Sequence, residues 1–184
     1  MTDTTVRIVL NKFPDAIRAV TGKDLLKAAT AGGYVIEGAA KINVEKTFKP
    51  STGNLAGSIR VETVTSGETY AEVAVGPGNL VYGRIQELGG TIKPIKGKYL
   101  AIPADGTPKG ARPRDYNDLS FIPSAKGGGV LVSNHGKGEV MFILKSSVTL
   151  PPRPYLRPAV DENLKKIEQA VSYQINKAIK AALK

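Results

Sequence analysis

The sequence predicts an α+β protein in which an antiparallel sheet is packed by one long N-terminal helix and a C-terminal helix. A short helix is expected between the strands. Two segments, one near the start and one at the end, repeat apolar or small residues every three or four positions. Between them, short runs alternate apolar and polar residues and are separated by Gly- and Pro-rich turns. Strands grouped between helices, without a regular βαβ alternation, are typical of α+β folds.

Length and composition predict a single domain that is made in the cytoplasm. The 184 residues, 41% of them hydrophobic, suffice for one core, so residues 1–184 are predicted to form a single domain. Residues 1–23 are a candidate arm, and "DGTPKGARPRDYND" (105–118) is predicted to be a flexible polar loop. The absence of Cys excludes disulfides, thiolate metal sites and cysteine nucleophiles. No signal peptide and no membrane span are expected, because no run approaches ~18 apolar residues.

The long helix is predicted over residues 24–48, with Asp24 as its N-cap. Its centre, "ATAGGYVIEGAA", contains three glycines, which predicts either a bend or the close approach of another backbone. One face carries the predicted buried stripe, which consists of Leu25, Ala29, Gly32, Ile36, Ala40 and Val44.

A hairpin and a short helix are predicted next. "RVETVTSGETYAEVAVG" reads as two strands about a "TSGE" turn. The residues expected to be buried there are Val61, Val64, Tyr70, Val73 and Val75. In "NLVYGRIQELGG", a helix ending at Gly89-Gly90 is predicted to bury a face made of Val81, Ile85 and Leu88.

Further strands and a terminal helix complete the predicted elements. Strands are expected at residues 99–102 and in "LSFIPSA", "GGGVLVSN" and "EVMFILKSSVTL". The terminal helix is predicted to begin at Pro158, with Asp161 and Glu162 in its first turn. Its apolar stripe consists of Val160, Leu164, Ile167, Val171, Ile175 and Ala178.

The residues that could do chemistry do not form a recognisable active site. The one histidine, His135, lies between glycine-rich turns, and no Ser occupies a G-x-S-x-G elbow. "GPGNLVYG" has the wrong spacing for a dinucleotide loop, and its Pro77 lacks a backbone donor. Glu72 and Glu87 could act as an acid–base pair only if they met. The sequence therefore predicts no enzyme, no cofactor and no metal.

Positive charge is the main surface signal. The formal net charge is +10, which favours attraction to polyanions. Few aromatic residues are interleaved with the densest basic cluster, so a solvated basic surface and a nucleic-acid site both remain open. That cluster consists of Lys93, Lys96, Lys98, Lys109, Arg112 and Arg114.

A proline-rich corner precedes the terminal helix. Pro151, Pro152 and Pro154 are predicted to keep residues 150–155 extended and to end the sheet, because proline has no backbone N–H. Between them and the helix, Tyr155 and Leu156 are predicted to fix the helix against the sheet. Arg153 and Arg157 are predicted to face water or an acidic partner.

Four segments, taken in order, resemble one family. "KPSTGNLAGSI" (49–59) resembles P-x-[DS]-T-G-x-L-x-x-S-I, and "AVGPGNLVYGRIQELGGTIKP" (74–94) resembles a run containing Y-A-x-x-x-E-x-G-G. "KGKYLAIP" (96–103) resembles K-x-L-A-[FI]-P, and "VTLPPRPYLRPAVDE" (148–162) resembles P-A-R-P-[FY]-L-x-P-A. Together they resemble the neck and tail-completion proteins of long-tailed double-stranded DNA bacteriophages, also described as head–tail joining, minor tail or virion morphogenesis proteins. The resemblance covers residues 49–162 and departs at Gly83, where Ala is commonest, a change expected to be harmless.

The resemblance implies a non-catalytic virion protein, made in the host cytoplasm, that forms a homo-oligomeric ring at the head–tail junction. Sixfold symmetry is expected, with connector or head-closure proteins and tail-tube or tail-terminator proteins as neighbours. Double-stranded DNA would pass non-specifically through the ring. The alternative is a basic nucleic-acid-binding protein without catalytic activity. The candidate interaction residues are the six basic residues of the cluster together with Arg153, Tyr155, Leu156 and Arg157.

Overall fold

The computed structural model describes residues 5–11, 20–49, 52–125, 127–133 and 138–182. Contacts divide the chain into two compact units, which we call unit 1 (residues 1–89 and 152–184) and unit 2 (residues 90–151). Helices and antiparallel strands occur together, which confirms the predicted α+β class. One domain over residues 1–184 stays a prediction, because a domain is defined by folding as a unit.

Unit 1 contains an antiparallel sheet in the order β1-β3-β2. Strand β1 pairs with β3 along its whole length, so residues 6–11 of the candidate arm belong to this sheet. Residues 1–4 and 12–19 of that arm lie outside the described part of the chain. The strands are β1 (Val6–Asn11), β2 (Arg60–Ser66) and β3 (Tyr70–Gly76), and the helices are α1 (Gly22–Thr47), α2 (Asn54–Ser58), α3 (Val81–Leu88), α4 (Leu156–Asp161) and α5 (Leu164–Ala182).

Helix α1 begins two residues before the predicted position. Thr21 is its N-cap, so the prediction that Asp24 caps the helix is wrong. Asp24 instead accepts hydrogen bonds from the Thr21 backbone N–H (3.2 Å) and the Thr21 hydroxyl (2.6 Å). The hydroxyl bond is the main reason why the pKa of Asp24 lies below its ordinary value. This pair closes the first turn of α1.

The predicted stripe of α1 is confirmed as buried, and it is the centre of the unit 1 core. The helix packs on the sheet and along α5. Around its C-terminal half lies one buried cluster, and around its N-terminal half lies a second, to which Ile175 and Ile179 of α5 are added. Helix α1 therefore joins the sheet to the C-terminal helix.

The three glycines at the centre of α1 differ in what lies over them. A Cβ atom on Gly33 would lie 2.9 Å from Cγ1 of Val61, and one on Gly32 would lie 3.0 Å from Cδ1 of Ile8. A Cβ atom on Gly38 would meet no atom within 4 Å. Side chains, rather than the backbone that the sequence suggested, therefore occupy the space over Gly32 and Gly33.

These environments predict opposite effects for two identical substitutions. Gly38→Ala is expected to raise the free energy of unfolding by about 0.5–1 kcal/mol, because alanine restricts the unfolded chain without a clash. Gly33→Ala is expected to lower it by about 1–2 kcal/mol, because overpacking against Val61 outweighs the helix propensity. Urea denaturation measures both. In a Val61→Ala background Gly33→Ala should lose its penalty, and a penalty that persists there would contradict the assigned contact.

The hairpin is confirmed, but two of its predicted core residues are exposed. Val73 and Val75 are fully buried, whereas Val64 is 45% and Tyr70 is 39% exposed. The register of β2 against β3 shifts between Thr63 and Thr65, so Val64 is the extra residue of a bulge. A bulge breaks the alternation of faces, which is why the pattern failed at this position.

Helix α3 buries the face opposite to the predicted one. Val81 is 91% exposed and Leu88 is 56% exposed. The buried residues are Gly83 and Glu87, neither of which counts as apolar in a periodicity analysis. The prediction for this face is therefore wrong, and its correction leads to the candidate site.

The C-terminal helix is interrupted, contrary to prediction. Helix α4 begins at Leu156, so Pro158 is its third residue and Asp161 its last. The Asn163 side-chain amide donates to the Ala159 carbonyl (3.1 Å), and the Asn163 backbone N–H donates to the Val160 carbonyl (3.0 Å) in a tighter turn. Such local side-chain bonds compete with a continuous helix, and α5 starts again at Leu164.

Unit 2 contains β-structure in two antiparallel sheets among its described residues. One has the order β5-β8-β7-β6 and the other pairs β4 with β9. The run "EVMFILKSSVTL" is therefore split between the two sheets. The strands are β4 (Gly90–Ile92), β5 (Leu100–Pro103), β6 (Leu119–Pro123), β7 (Gly129–Ser133), β8 (Val140–Lys145) and β9 (Val148–Leu150).

The polar segment 105–118 follows a defined course in unit 2. It contains a 3-10 turn at Pro113–Asp115. Thr107 donates from its hydroxyl to the Met141 carbonyl (2.7 Å), and the Tyr116 ring packs edge-on against Phe142, with centroids 5.8 Å apart. Phe142 is fully buried, so this segment covers part of the small core of unit 2. Its flexibility stays a prediction.

Candidate functional site

The proline-rich corner meets the end of helix α3 in unit 1. The Arg153 backbone N–H donates to the Gln86 carbonyl at 2.7 Å, which holds the extended segment beside the helix. The chain then turns at Tyr155, the N-cap of α4, and enters that helix. We call the contact between Glu87 and residues 155–157 the Glu87 corner.

The Glu87 carboxylate caps helix α4. Its Oε2 atom accepts from the backbone N–H groups of Tyr155 (2.6 Å) and Leu156 (2.9 Å), and its Oε1 atom accepts from that of Arg157 (3.0 Å). The next residue, Pro158, has no N–H to satisfy. All the free donors of the first turn are thus matched, and a negative charge lies at the positive end of the helix.

Burial makes these bonds important for stability. Glu87 is 7% exposed, and a carboxylate at that depth needs strong donors to offset the loss of water. A hydrogen bond to a charged group contributes about 1.5–3 kcal/mol net. Gly89 has φ of 69°, so the chain can leave α3 directly after Leu88 in the left-handed region.

Tyr155 is the central side chain of the corner. It is fully buried, its hydroxyl donates to the Gly83 carbonyl (3.3 Å), and its own carbonyl accepts from Nδ2 of Asn43 (3.1 Å). Burial, with a contribution from the nearby Glu87 charge, raises the pKa of the Tyr155 phenol well above its usual range. The hydroxyl is therefore a neutral donor at physiological pH.

Three of the four segments that carry the family resemblance converge on this corner. Segment 49–59 contributes Leu55, Ala56 and Ile59, segment 74–94 contributes Val75 and Glu87, and segment 148–162 contributes Tyr155, Leu156 and Ala159. All of these except Glu87 belong to one buried cluster. The fourth segment, in unit 2, contains β5. The three segments therefore build a structural core, and the chemistry of this site is capping and packing.

The glycine at which the chain departs from the family pattern is not interchangeable with alanine here. A Cβ atom on Gly83 would lie 2.7 Å from Cγ and 2.9 Å from Cβ of Pro77, and 3.2 Å from the Tyr155 hydroxyl. The Pro77 ring cannot rotate away as a flexible side chain could. The expectation that Gly and Ala are equivalent at position 83 is therefore wrong for this chain.

Gly83→Ala is expected to lower the free energy of unfolding by about 1–2 kcal/mol, because overpacking at about 1–3 kcal/mol exceeds the gain in helix propensity of about 1 kcal/mol. Pro77→Ala removes the ring atom Cγ. The double variant Pro77→Ala, Gly83→Ala should therefore recover part of the loss, measured as a double-mutant cycle in urea. Additive effects of the two substitutions would exclude the steric explanation.

The predicted interaction residues lie in two different environments. Lys93, Lys96, Lys98, Lys109, Arg112 and Arg114 are all exposed and all belong to unit 2. Arg153 and Arg157 are exposed in unit 1, and Arg157 lies 3.6 Å from Asp161. Tyr155 and Leu156 are buried, so they belong to the core and are unavailable to a partner.

The basic region has aromatic neighbours that the sequence analysis missed. The rings of Tyr99 and Phe121 stack with centroids 6.4 Å apart, and Nζ of Lys98 lies 5.5 Å from the Tyr99 centroid. Phe121 is 49% exposed. Tyr99 and Phe121 are 22 positions apart, and no spacing rule joins them; the only signal was an aromatic residue within each of two strand-like runs.

Among the described residues, the side chains that could do acid–base or metal chemistry do not form a site. Glu72 forms an ion pair with Arg7 (3.1 Å), whereas Glu87 caps α4, so these carboxylates serve separate contacts. In the described ranges, no group of three or more His, Asp or Glu residues could hold a metal ion, and no helix is long and apolar enough to cross a membrane. His135 lies outside the described residues.

Comparison with known proteins adds no assignment. No protein-family model, no curated protein and no solved structure matches this chain at a significant level.

Proposed function

We propose that this protein is a structural virion protein of a long-tailed bacteriophage and forms a ring at the head–tail junction. The observation that carries the proposal is the convergence of three resembling segments on the Glu87 corner. These segments lie far apart in the sequence but pack on one another. Their contact gives one physical reason why all of them resemble the same family. Here the cause is a folding element, the capped start of α4, and a scaffold of this kind suits a protein whose work is assembly.

The exposed apolar residues of helix α3 support an assembling surface. Val81 is 91% and Leu88 is 56% exposed, and with the half-buried Ile85 they form a stripe on one helix face. Apolar stripes open to water are characteristic of surfaces that are covered by a partner. A ring needs two different surfaces on each subunit, and this stripe is suited to be one of them.

Positive charge suits a ring through which DNA passes. The chain carries 26 basic and 16 acidic residues, for a net charge of +10. Contacts between lysine or arginine and phosphate are independent of base sequence and weaken with salt. The ring, its sixfold symmetry, its connector and tail neighbours and its place in the virion all belong to this proposal.

Limited proteolysis of segment 105–118 tests the proposal. In the isolated chain, which is expected to be monomeric or weakly associated, trypsin should cut after Lys109 and Arg114, because both are exposed. In assembled phage particles these bonds should be protected by neighbouring subunits. Mass spectrometry of the fragments locates each cut.

A Lys109→Ala, Arg114→Ala variant is the matched control, because it should lose these fragments and keep the others. Western blotting of purified particles establishes that the protein is present. Equal cleavage in free chain and particles, or absence of the protein from particles, would contradict the proposed role.

A further inference from the structure

Three residues of unit 2 form a row on its surface, with a cation at one end and an exposed aromatic ring at the other. Nζ of Lys98 lies over the Tyr99 ring at 5.5 Å, and the Tyr99 ring stacks on Phe121 at 6.4 Å with an interplanar angle of 28°. We call this row the aromatic platform. All three residues lie within unit 2.

Phe121 is supported from below and open above. It stands on strand β6, and a Cβ atom on Gly129 would lie 2.5 Å from Cε2 of its ring, so the ring rests on the backbone of strand β7. Even so, Phe121 is 49% exposed. A ring that is held in place and half open can accept another planar group at low entropic cost.

Charge identifies the chemical class of that planar group. Residues 90–151 contain nine Lys or Arg and four Asp or Glu, so unit 2 carries +5 of the net +10 in one third of the chain. The six residues of the basic cluster are all exposed in this unit. Such a surface attracts a polyanion. A polyanion that also presents flat rings is a nucleic acid.

The exposed aromatic ring favours a single-stranded nucleic acid over a duplex. Bases in a duplex are stacked on one another and expose only their edges, whereas a single strand presents free ring faces. Proteins that bind single strands combine a positive groove with aromatic side chains on which bases stack. We propose that the aromatic platform binds single-stranded DNA, with one base stacked on Phe121 and the phosphates held by the basic cluster. This site is independent of the proposed ring.

The experiment is a fluorescence anisotropy titration of the full chain with labelled oligothymidine of about 20 nucleotides, longer than the ~4–16 nucleotides that one binding module covers. A labelled duplex of the same length is titrated in parallel. Binding of the single strand should exceed binding of the duplex. It should also weaken as salt rises from about 50 to 200 mM, because phosphate contacts release counterions.

Phe121→Ala is expected to weaken single-strand binding about tenfold and to leave duplex binding unchanged. Ile122→Ala is the matched control, because Ile122 is the next residue of the same strand, is 50% exposed and points to the opposite face. It should bind like the original chain. Lys98→Ala should lower the slope of log affinity against log salt concentration by about 1 in both titrations, because one phosphate contact is lost.

Circular dichroism and thermal unfolding of each variant show whether it is folded. If Phe121→Ala is unfolded, Phe121→Leu replaces it, since leucine fills the site without a stacking face. The platform is excluded if the folded Phe121 variant and Ile122→Ala bind the single strand equally. It is also excluded if no binding occurs, or if the Phe121 substitution changes only self-association in sedimentation velocity. Assembly into particles is measured separately, so the ring and the platform can fail independently.

Discussion

Replacing Glu87 with alanine is expected to lower the free energy of unfolding by about 3–5 kcal/mol. The substitution leaves the buried backbone N–H groups of Tyr155 and Leu156, and the partly buried N–H group of Arg157, without the carboxylate that accepts their bonds. Each buried donor left unpaired costs about 1–3 kcal/mol, although water entering the space reduces the sum. Urea denaturation followed by circular dichroism measures the loss.

Two variants make the Glu87 test specific. Glu45→Ala changes an exposed glutamate of helix α1 and should alter stability by less than about 0.5 kcal/mol. Glu87→Gln keeps one acceptor oxygen but places an amide N–H₂ beside a backbone donor, so it should lose about 2–3 kcal/mol. Glu87→Ala and Glu45→Ala with equal stability would show that the carboxylate does not hold helix α4.

The double substitution Tyr155→Ala, Leu156→Ala is expected to have the largest effect of any considered. Both side chains lie in the main core of unit 1, where Tyr155 is fully buried and Leu156 is 2% exposed. A buried aromatic residue replaced by alanine costs about 3–5 kcal/mol, and a buried leucine about 2–5 kcal/mol. The sum is comparable to the whole stability of a typical domain, so the variant should be unfolded or should melt at least about 15 °C lower.

Two single variants test whether lost core packing causes the loss of stability. Tyr155→Phe removes only a hydroxyl whose bond to Gly83 is 3.3 Å long, and it should cost about 0.5–1.5 kcal/mol. Leu164→Ala alters a leucine that is 53% exposed, so it should have little effect. Full thermal stability of the double variant, measured by calorimetry, would mean that the corner does not fix helix α4.

Substitutions at the Glu87 corner and at the aromatic platform should affect different measured properties. At the Glu87 corner, burial and matched hydrogen bonds fix the backbone, so changes there should act through stability. At the aromatic platform, Phe121 and the basic cluster are open to water, so changes there should act on binding at constant stability. Measuring stability and binding for the same variants therefore tells the two apart.

Local pattern was enough to predict most elements. All six positions of the predicted α1 stripe are buried, because a helix repeats its faces every 3.6 residues whatever lies against it. The hairpin about Gly67 and the strands of "LSFIPSA" and "GGGVLVSN" followed for the same reason, since alternation and turn residues act over a few positions. Errors of one or two residues arose at helix ends, for example at α1, where Thr21 is the N-cap and Asp24 is its partner three residues later.

The sequence by itself determined the α+β class, most of the helix and strand segments, and the end of strand β9 before Pro151, Pro152 and Pro154. Only the tertiary structure decided which face of α3 is buried, because that depends on Tyr155, a residue 68 positions away from Glu87. The same holds for Gly83, whose need to be glycine comes from Pro77 and Tyr155, and for the stacking of Tyr99 on Phe121. The spacing of apolar residues shows which residues share one face of a helix or strand. Burial of a charged or small residue depends on a partner elsewhere in the chain, which that spacing does not specify.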